Sequence, residues 1–489
     1  MDVLCLIHEP ETLPDTLPEA FSKNKKTQKE RKVKEMKKAK KWAALGLSAM
    51  MAVSAAAVPA YAGEDSGDDF DYSSITGKVY WLNQKPEDGT ILEEELIPAF
   101  TEETGIEAKV VTAGANTYEN MLRSEIAKDE PPTLFQIGSK VALERWKPYA
   151  LDLTDTDWYD SLTDKSLAIA DDDGVFSIPY TVEGYGIIAN KRIIEEYCET
   201  DGAVIESVED INNFDTLKAV AEDMQAKADD LGILGAFAST SFSPGEEWRW
   251  TNHLFNMPLY YEYKDMGVDD SDTLSGTYMD NFKQIFDLYI NNSCTEPAML
   301  SSMTTENAMA EFALEEVAFV QNGNWAWTTI AENNEDFSAD DICFLPIYIG
   351  VEGEENQGIC IGSEANLGIN NQVSEEDQEA TLAFIHWLFN SETGKDMCIN
   401  KLGWISPYDT FGEDEVPSNP LAAEVMEWSN SGKETVSWAF NTIPNQTYKD
   451  AFGSALLEYA QGTGEWEPVV EAAIDNWSVE KGNIQEEAE

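Results

Sequence analysis

Two tryptophan-containing segments carry the residue types best suited to chemistry. One is Glu246-Glu247-Trp248-Arg249-Trp250, and the other is Asn322-Gly323-Asn324-Trp325-Ala326-Trp327. An indole ring offers a flat apolar surface and an N–H donor, and a carboxylate forms strong hydrogen bonds to hydroxyl groups. A sugar, with hydroxyls around its rim and C–H groups on its faces, needs both kinds of group in one cleft.

Motifs for catalysis and for metal binding are missing from the sequence. There is no G-x-S-x-G, P-loop, H-E-x-x-H or glycine-rich nucleotide fingerprint. Three histidines and the lack of a C-x-x-C pair leave no zinc pattern. We therefore expect no catalytic residues, no metal, no cofactor and no enzymatic activity.

The charge of the chain is strongly negative. The 489 residues carry 92 Asp and Glu against 32 Lys and Arg, a formal net charge of −60. A field of that sign repels phosphate backbones and anionic lipids, so nucleic acid and membrane surfaces are excluded as partners. The length indicates more than one domain with ample core.

The N-terminal region predicts export. A basic stretch at residues 36–41, an uncharged run at 42–58 and Ala60-Tyr61-Ala62 form a signal peptide cleaved after Ala62. The alternative, a membrane anchor, requires a longer apolar run of about 20 residues. Residues 1–35 precede this signal and are interpreted as an extension that is not the native start, and residues 63–76 as an acidic linker. No cysteine follows the cleavage site, so we expect a protein without a lipid anchor, either periplasmic or extracellular.

Five cysteines remain after the predicted cleavage, at positions 198, 294, 343, 360 and 398. Export permits a disulfide, and Cys343 with Cys360 is the pair to test. Buried single cysteines are the alternative.

Short apolar runs alternate with amphipathic stretches along the chain. Strands are predicted at residues 78–82, 108–111, 133–137, 176–178, 186–189 and 317–320. Helices are predicted at 92–100, 118–127, 214–227 and 278–291, and the last ~90 residues read as mostly helical. This alternation indicates βαβ units with parallel sheets, and hence the α/β class.

Several motifs occur in an order that resembles bacterial extracellular sugar-binding proteins, the group of maltose-binding protein. Phe100-x-x-x-Thr104-Gly105-Ile106 is similar to that family's "F-x-x-x-T-G-I", and residues 322–327 to its "N-G-x-W-A-W". Residues 131–136 resemble "G-P-D-I/V-F" with Thr133 replacing Asp, and residues 178–191 resemble "P-x-x-x-E…Y-N-K" with Ala189 replacing Tyr. Residues 362–370, 391–394 and 403–407 extend the resemblance over nearly the whole exported chain.

The resemblance implies two α/β lobes, each built from discontinuous segments, that close on a ligand about a hinge. Lobe one would comprise residues 77–181 and 346–400, and lobe two residues 182–345 and 401–489. The implied function is that of a monomeric substrate-binding protein, which captures a carbohydrate, expected to be an oligosaccharide, and delivers it to the permease subunits of an ABC importer.

Ten residues are candidates for the cleft. By resemblance, Trp325 stacks on the sugar, Glu183 is the acid near the first hinge crossing, and Glu247, Trp248 and Trp250 line lobe two. Trp81, Asn83 and Lys85 lie at the C-terminal end of the first strand, where open α/β sheets bind ligands. Gln136 and Tyr448 match weaker family contact positions. The residues Ser139 and Lys140 replace more polar or charged ones of maltose binders, which argues against assuming maltose.

Three alternatives stay open at this point. The same fold binds a polyamine or another non-sugar solute if several carboxylates surround the aromatic rings. A secreted glycoside hydrolase would use two of the many acids as catalytic carboxylates. A surface protein without any ligand would have its cleft filled by bulky side chains.

Overall fold

The structure is a computed structural model that describes residues 70–114, 117–412 and 414–488, of which the last four are described for the backbone alone. The predicted extension at 1–35, the signal peptide at 36–62 and residues 63–69 of the linker lie outside these residues.

Twelve strands are present in this part of the chain. They are β1 (Lys78–Asn83), β2 (Glu107–Thr112), β3 (Leu134–Gln136), β4 (Ile169–Asp171), β5 (Gly174–Pro179), β6 (Glu183–Asn190), β7 (Gly235–Phe237), β8 (Val317–Gly323), β9 (Ile342–Leu345), β10 (Gln357–Gly362), β11 (Asn366–Ile369) and β12 (Glu434–Val436). They form one sheet in the order β2-β1-β3-β11-β5-β4 and a second in the order β12-β10-β6-β8-β7, with β9 also paired to β6.

The α/β class is confirmed, but the prediction of parallel sheets is only partly right. β1 runs parallel to β2 and to β3, as βαβ units require. β11 is antiparallel to both of its neighbours, β3 and β5, and β6 is antiparallel to β8, β9 and β10. Both sheets are therefore mixed, because strands distant in sequence insert between the local βαβ units.

Helices cover the sheets. The longer α-helices are Ile97–Thr104, Tyr118–Glu125, Lys140–Trp146, Lys191–Cys198, Phe214–Ala226, Asn256–Met266, Met279–Asn291, Thr305–Ala313, Ala326–Asn333, Glu375–Asn390, Pro420–Asn430, Gln446–Ala460 and Asn476–Ala488. The π-helical turns are Leu92–Leu96, Arg249–Leu254, Met397–Lys401 and Glu471–Asp475. In the part of the chain that the structure describes, no helix is both long and apolar enough to cross a membrane.

Helix Phe214–Ala226 shows how the local sequence dictates these elements. The side chain of Asn213 accepts a hydrogen bond from the backbone N–H of Thr216 and so caps the helix N-terminus. Phe214, Leu217 and Val220 recur at helical spacing, and all three are buried. The apolar face of the helix thus packs into the core of the second sheet.

Each sheet has its own hydrophobic core. Trp81, Phe100 and Phe384 belong to the core of the first sheet. Ile187 and Phe282 belong to the large core of the second sheet. Two separate cores are what a chain of two lobes requires.

The chain passes between the sheets at three places, and two of them shift the predicted lobe boundaries. The first passage is from β5 to β6, near residue 181 as predicted. The second is from β10 to β11, so residues 346–362 do not join lobe one, because β10 pairs with β6 and β12. The third runs through residues 401–408, where Leu402, Trp404 and Tyr408 pack in the first core but Ile405 packs with residues of the second sheet. We propose lobes bounded at these passages.

The cysteine pair proposed for testing is not bonded. Cys198, Cys294, Cys343, Cys360 and Cys398 are all free. Cys343 lies opposite Ala189 on β6, and Cys360 lies opposite Tyr185. Four residues along a strand span about 13 Å, about twice the Cα separation that a disulfide permits.

Candidate functional site

A buried ion pair joins the two sheets. Lys85 follows β1 of the first sheet, and Glu183 begins β6 of the second. The Lys85 Nζ donates a hydrogen bond to Glu183 Oε1 and lies 3.3 Å from Glu87 Oε1. Burial alone would lower the pKa of Lys85, but the attraction of Glu183 and Glu87 holds the pKa well above its usual value. The ammonium group is therefore fully charged at neutral pH.

Asn83 fixes the loop that carries Lys85. Its side-chain amide donates to the carbonyl of Lys85 at 2.7 Å, and its side-chain oxygen accepts from the backbone N–H of Lys85 at 3.0 Å. These hydrogen bonds stabilise the loop, because they pair the polar side-chain atoms of Asn83 with the backbone of Lys85.

Trp325 lies next to this ion pair. The Lys85 Nζ is 5.6 Å from the centroid of its ring, within the range of a cation–π contact. Asn324 sets this position through two hydrogen bonds of 2.9 Å with Gly184, one from its backbone N–H and one to its side-chain oxygen. The motif after β8 is thereby tied to the first residues of β6, so Lys85, Glu183 and Trp325 come together.

Trp325 is part of a cluster of aromatic rings in lobe two that is centred on His253. His253 stacks on Tyr185 with centroids 4.2 Å apart, and lies 5.5 Å from the ring of Trp325 and 5.0 Å from that of Trp248. The π-helical turn Arg249–Leu254 carries His253 into this position. Burial, reinforced by the positive charge of Arg249, lowers the pKa of His253 to about 3. The imidazole is neutral at physiological pH and acts as a flat ring.

Additional charges lie between the lobes. The Gln136 side chain donates to the backbone carbonyl of Glu364, in the passage between β10 and β11. Burial raises the pKa of Glu364, opposed by the attraction of Lys449 and Lys85. Burial lowers the pKa of Lys449, opposed by Glu364 and by Glu247. Acids and bases thus interact along the boundary between the lobes, which is called the seam below and includes Lys85, Glu183, Glu364 and Lys449.

Glu247 lies against the helix that carries Lys449. A Cβ placed on Gly453 would come within 2.6 Å of the Glu247 Cγ, so only a glycine permits this close approach. Burial raises the pKa of Glu247. Its half-buried carboxyl group borders the seam from the second lobe.

Three of the predicted site residues are packed into hydrophobic cores, and a ligand contact for them stays a prediction. Trp81 is 1% exposed and packs against Tyr180, Phe384 and Trp404. Trp250 is buried in the second core, where its Nε1 donates to the carbonyl of Ser241 at 3.0 Å. Tyr448 is also 1% exposed, and its hydroxyl donates to the carbonyl of Ala473 at 2.8 Å. In each case the side chain faces the core of its own lobe.

His253, Glu364 and Lys449 are not among the residues predicted for the site. No motif marks them, and their positions depend on which strands and helices meet. A faint signal was available for His253, since it follows the tryptophan-rich segment by three residues. Within the described ranges, no group of His, Cys, Asp or Glu side chains has the arrangement of a metal site.

Two mixed sheets joined by hinge-like passages, with charged and aromatic groups where they meet, define the class of two-lobed binding proteins. The chain belongs to the family of bacterial extracellular solute-binding proteins, whose profile matches residues 95–424. The resemblance inferred from the motifs is thereby confirmed.

Solved structures support the same fold. SBP RafE in complex with raffinose superimposes with a TM-score of 0.63 at 18% identity, over 83% of this chain and 100% of that chain. A sugar transporter from Bacillus licheniformis in complex with stachyose gives 0.60 at 18%, over 82% and 100%. The GacH receptor of Streptomyces glaucescens gives 0.60 at 14%, over 85% and 98%. No curated protein matches the chain.

Proposed function

We propose that this protein captures a carbohydrate between its two lobes and delivers it to the permease of an ABC importer. The observation that carries the proposal is the position of Trp325, half-buried beside the Lys85–Glu183 pair where the two lobes meet. Raffinose and stachyose, the ligands of two similar structures, are oligosaccharides, which supports an oligosaccharide as the ligand.

The chemistry of these groups suits a sugar. Trp325 and Trp248 are both half-buried and provide flat apolar surfaces for the C–H faces of sugar rings. Lys85 donates hydrogen bonds and Glu183 accepts them, so together they satisfy hydroxyl groups, which do both. When the lobes separate, these two side chains become available to ligand hydroxyls.

Export and transport follow from the same proposal. A family of extracellular proteins agrees with the signal peptide predicted at residues 36–62. We propose that the exported chain acts as a monomer without a lipid anchor, and that it contacts the membrane permease subunits. Its role is binding rather than catalysis.

A thermal-shift screen of neutral oligosaccharides tests the proposal directly. A sugar that binds only the folded state raises the melting temperature, by an amount that grows with concentration above the Kd. Calorimetry with the best sugar then gives affinity and stoichiometry. Failure of every raffinose-, malto-, xylo- and chito-type oligosaccharide to shift the melting temperature would count against the proposal. Release of smaller products from labelled oligosaccharides would indicate a hydrolase instead.

A cationic solute is a second candidate, and one observation favours it. Glu87 and Glu183 both lie against the single ammonium of Lys85, so carboxyl groups outnumber ammonium groups at this end of the seam. Carboxylates next to aromatic rings also suit a polyamine. Spermidine and putrescine therefore belong in the same screen, and a shift with these alone would replace the sugar by a polyamine.

A further inference from the structure

A small cavity lies in lobe two behind the π-helical turn Arg249–Leu254. Its volume is about 10 Å³, close to the minimum that holds one water molecule. The residues that line it are Phe237, Ala238, Ser239, Arg249, Trp250, Tyr289, Val320 and Gln321. The cavity is thus bordered by the turn that carries His253 and by β8, the strand that leads to Trp325.

Three polar atoms of these lining residues have no hydrogen-bond partner within the described part of the chain. They are Arg249 Nη1, Tyr289 Oη and Gln321 Oε1. The three residues are 1%, 2% and 3% exposed, so bulk water does not reach them. An unsatisfied buried polar atom destabilises the folded state, and three among the residues that line one cavity are unusual for a folded protein.

The orientation of these groups is set by their other bonds. Gln321 Nε2 donates to the backbone carbonyl of Arg249 at 2.9 Å, which leaves Oε1 as the free atom of the amide. Arg249 Nη2 donates to Ser241 Oγ, which leaves Nη1. The residues that line the cavity therefore carry one unpartnered obligate donor, one unpartnered obligate acceptor and a hydroxyl that does either.

This combination selects the occupant. A cation is repelled by the guanidinium group, and an anion such as chloride accepts from Arg249 but cannot donate to Gln321 Oε1. Water accepts from Arg249 Nη1, donates to Gln321 Oε1 and bonds the Tyr289 hydroxyl, which gives it the usual three bonds of a buried water.

We propose that this cavity is a binding site for a single structural water that bridges Arg249, Tyr289 and Gln321. The water ties the π-helical turn to β8, and thus joins the segment of Trp248 and His253 to the strand that ends before Trp325. That the water helps to position Trp248 and Trp325 for a ligand rests on the proposed function. The water site itself does not.

A crystal structure of the ligand-free protein at about 1.8 Å tests the site first. The expected result is one ordered solvent peak within about 3.2 Å of Arg249 Nη1 and of Gln321 Oε1. An anion-sized peak with halide anomalous signal, or a cavity closed by rotation of Arg249 onto a protein acceptor, would overturn the proposal. Neither outcome bears on whether a sugar binds.

The variant Tyr289→Phe gives a second readout that does not depend on crystals. If the hydroxyl bonds to a buried water, its removal shifts the unfolding equilibrium in urea about fivefold toward the unfolded state. Tyr448→Phe is the matched control, because it removes a buried hydroxyl with a known partner in the same lobe. A Tyr289→Phe protein as stable as the parent, while Tyr448→Phe is destabilised, would refute the water site.

Discussion

The two sides of the seam between the lobes use their side chains differently. On the first lobe the predicted contacts other than the core residue Trp81 are polar, and Asn83 and Gln136 hydrogen-bond to backbone groups of their surroundings. On the second lobe, the acids Glu183 and Glu247 are accompanied by aromatic rings: Trp248 and Trp325 are half-buried and contact the ring of His253. Lys85 is the side chain of the first lobe that reaches Glu183 and Trp325 of the second.

This difference has a chemical basis. Amide side chains at strand ends readily satisfy nearby backbone groups, because those groups would otherwise be buried without partners. An indole ring offers the backbone one donor and no acceptor, as in the bond from Trp250 to Ser241, so the faces of the ring remain available to a ligand. A polar residue after a strand is thus weaker evidence for ligand contact than a half-buried ring.

Removal of the charge of Lys85 tests the link between the two sides and should give the largest effect. Lys85→Met leaves the carboxylate of Glu183 buried without its partner, which we expect to lower the free energy of unfolding by about 3 kcal/mol. Urea denaturation measures the change. Because separation of the lobes rehydrates Glu183, small-angle scattering should also show a larger radius of gyration.

Two controls define the cause of that loss. The double variant Lys85→Met/Glu183→Gln has no uncompensated charge and should recover at least half of the lost stability. Lys218→Met breaks an exposed pair with Glu222, and should cost about 0.5 kcal/mol or less. Equal losses for Lys85→Met and Lys218→Met would show that the seam pair is unimportant.

Truncation of Trp325 tests the aromatic side. If this ring carries the sugar, Trp325→Ala should weaken binding by about 2 kcal/mol or more, roughly 30-fold in Kd, as for a typical buried aromatic contact. Calorimetry with the sugar found by screening measures the change. Trp327→Ala is the matched control from the same motif, because Trp327 packs near Phe337 in its own lobe. It should lower stability and leave the Kd nearly unchanged.

The contributions of the two lobes to the stability of the fold should also change with pH in opposite directions. On the first lobe, burial and the nearby Glu87 raise the pKa of Asp88 to about 8, although Lys85 and the Trp404 N–H oppose the shift. The folded state therefore holds a proton that the unfolded state loses near pH 4, so this group reduces stability as the pH rises from 4 to 8. His253 has a folded pKa of about 3 against 6.5 when unfolded, so it reduces stability as the pH falls from 6.5 to 3.

Variants separate the contributions of Asp88 and His253. Each titration changes the free energy of unfolding by at most about 1.4 kcal/mol per pH unit. Asp88→Asn should flatten the loss of stability between pH 7 and 8, and His253→Gln should flatten the loss between pH 6 and 4. Urea midpoints across this range give both slopes. Unchanged slopes in both variants would contradict the assigned titrations.

The local elements were predictable, whereas the pairing of distant strands was not. The strand predicted at residues 78–82 corresponds to β1, and the helix at 214–227 to Phe214–Ala226, because periodicity and caps are local signals. The antiparallel pairing of β11 with β3 joins residues more than 200 positions apart. No pattern within either segment encodes that partner, and the lobe boundaries depend on it.

The site was predicted in part for the same reason. The motif around Trp325 was recognisable, but its position next to Glu183 depends on bonds between Asn324 and Gly184, which are 140 residues apart. Trp81 illustrates a different limit of the sequence signal. The end of a strand indicates where a ligand lies, whereas the alternation of side chains decides which face a residue takes. Trp81 shares with Val79 the side that packs in the first core.

Tyr448→Phe tests whether Tyr448 belongs to the core of lobe two or to the ligand site. Its expected effect is the smallest of the set. If Tyr448 is a core residue, loss of its bond to Ala473 should lower the free energy of unfolding by about 1 kcal/mol and leave sugar affinity unchanged. Urea denaturation and calorimetry on the same preparation give both values. A weaker Kd without any loss of stability would place Tyr448 in the ligand site, and would mean that the lobes rearrange around this helix when a sugar binds. The contrast with Trp325→Ala is therefore decisive, because one aromatic residue should change stability alone and the other affinity.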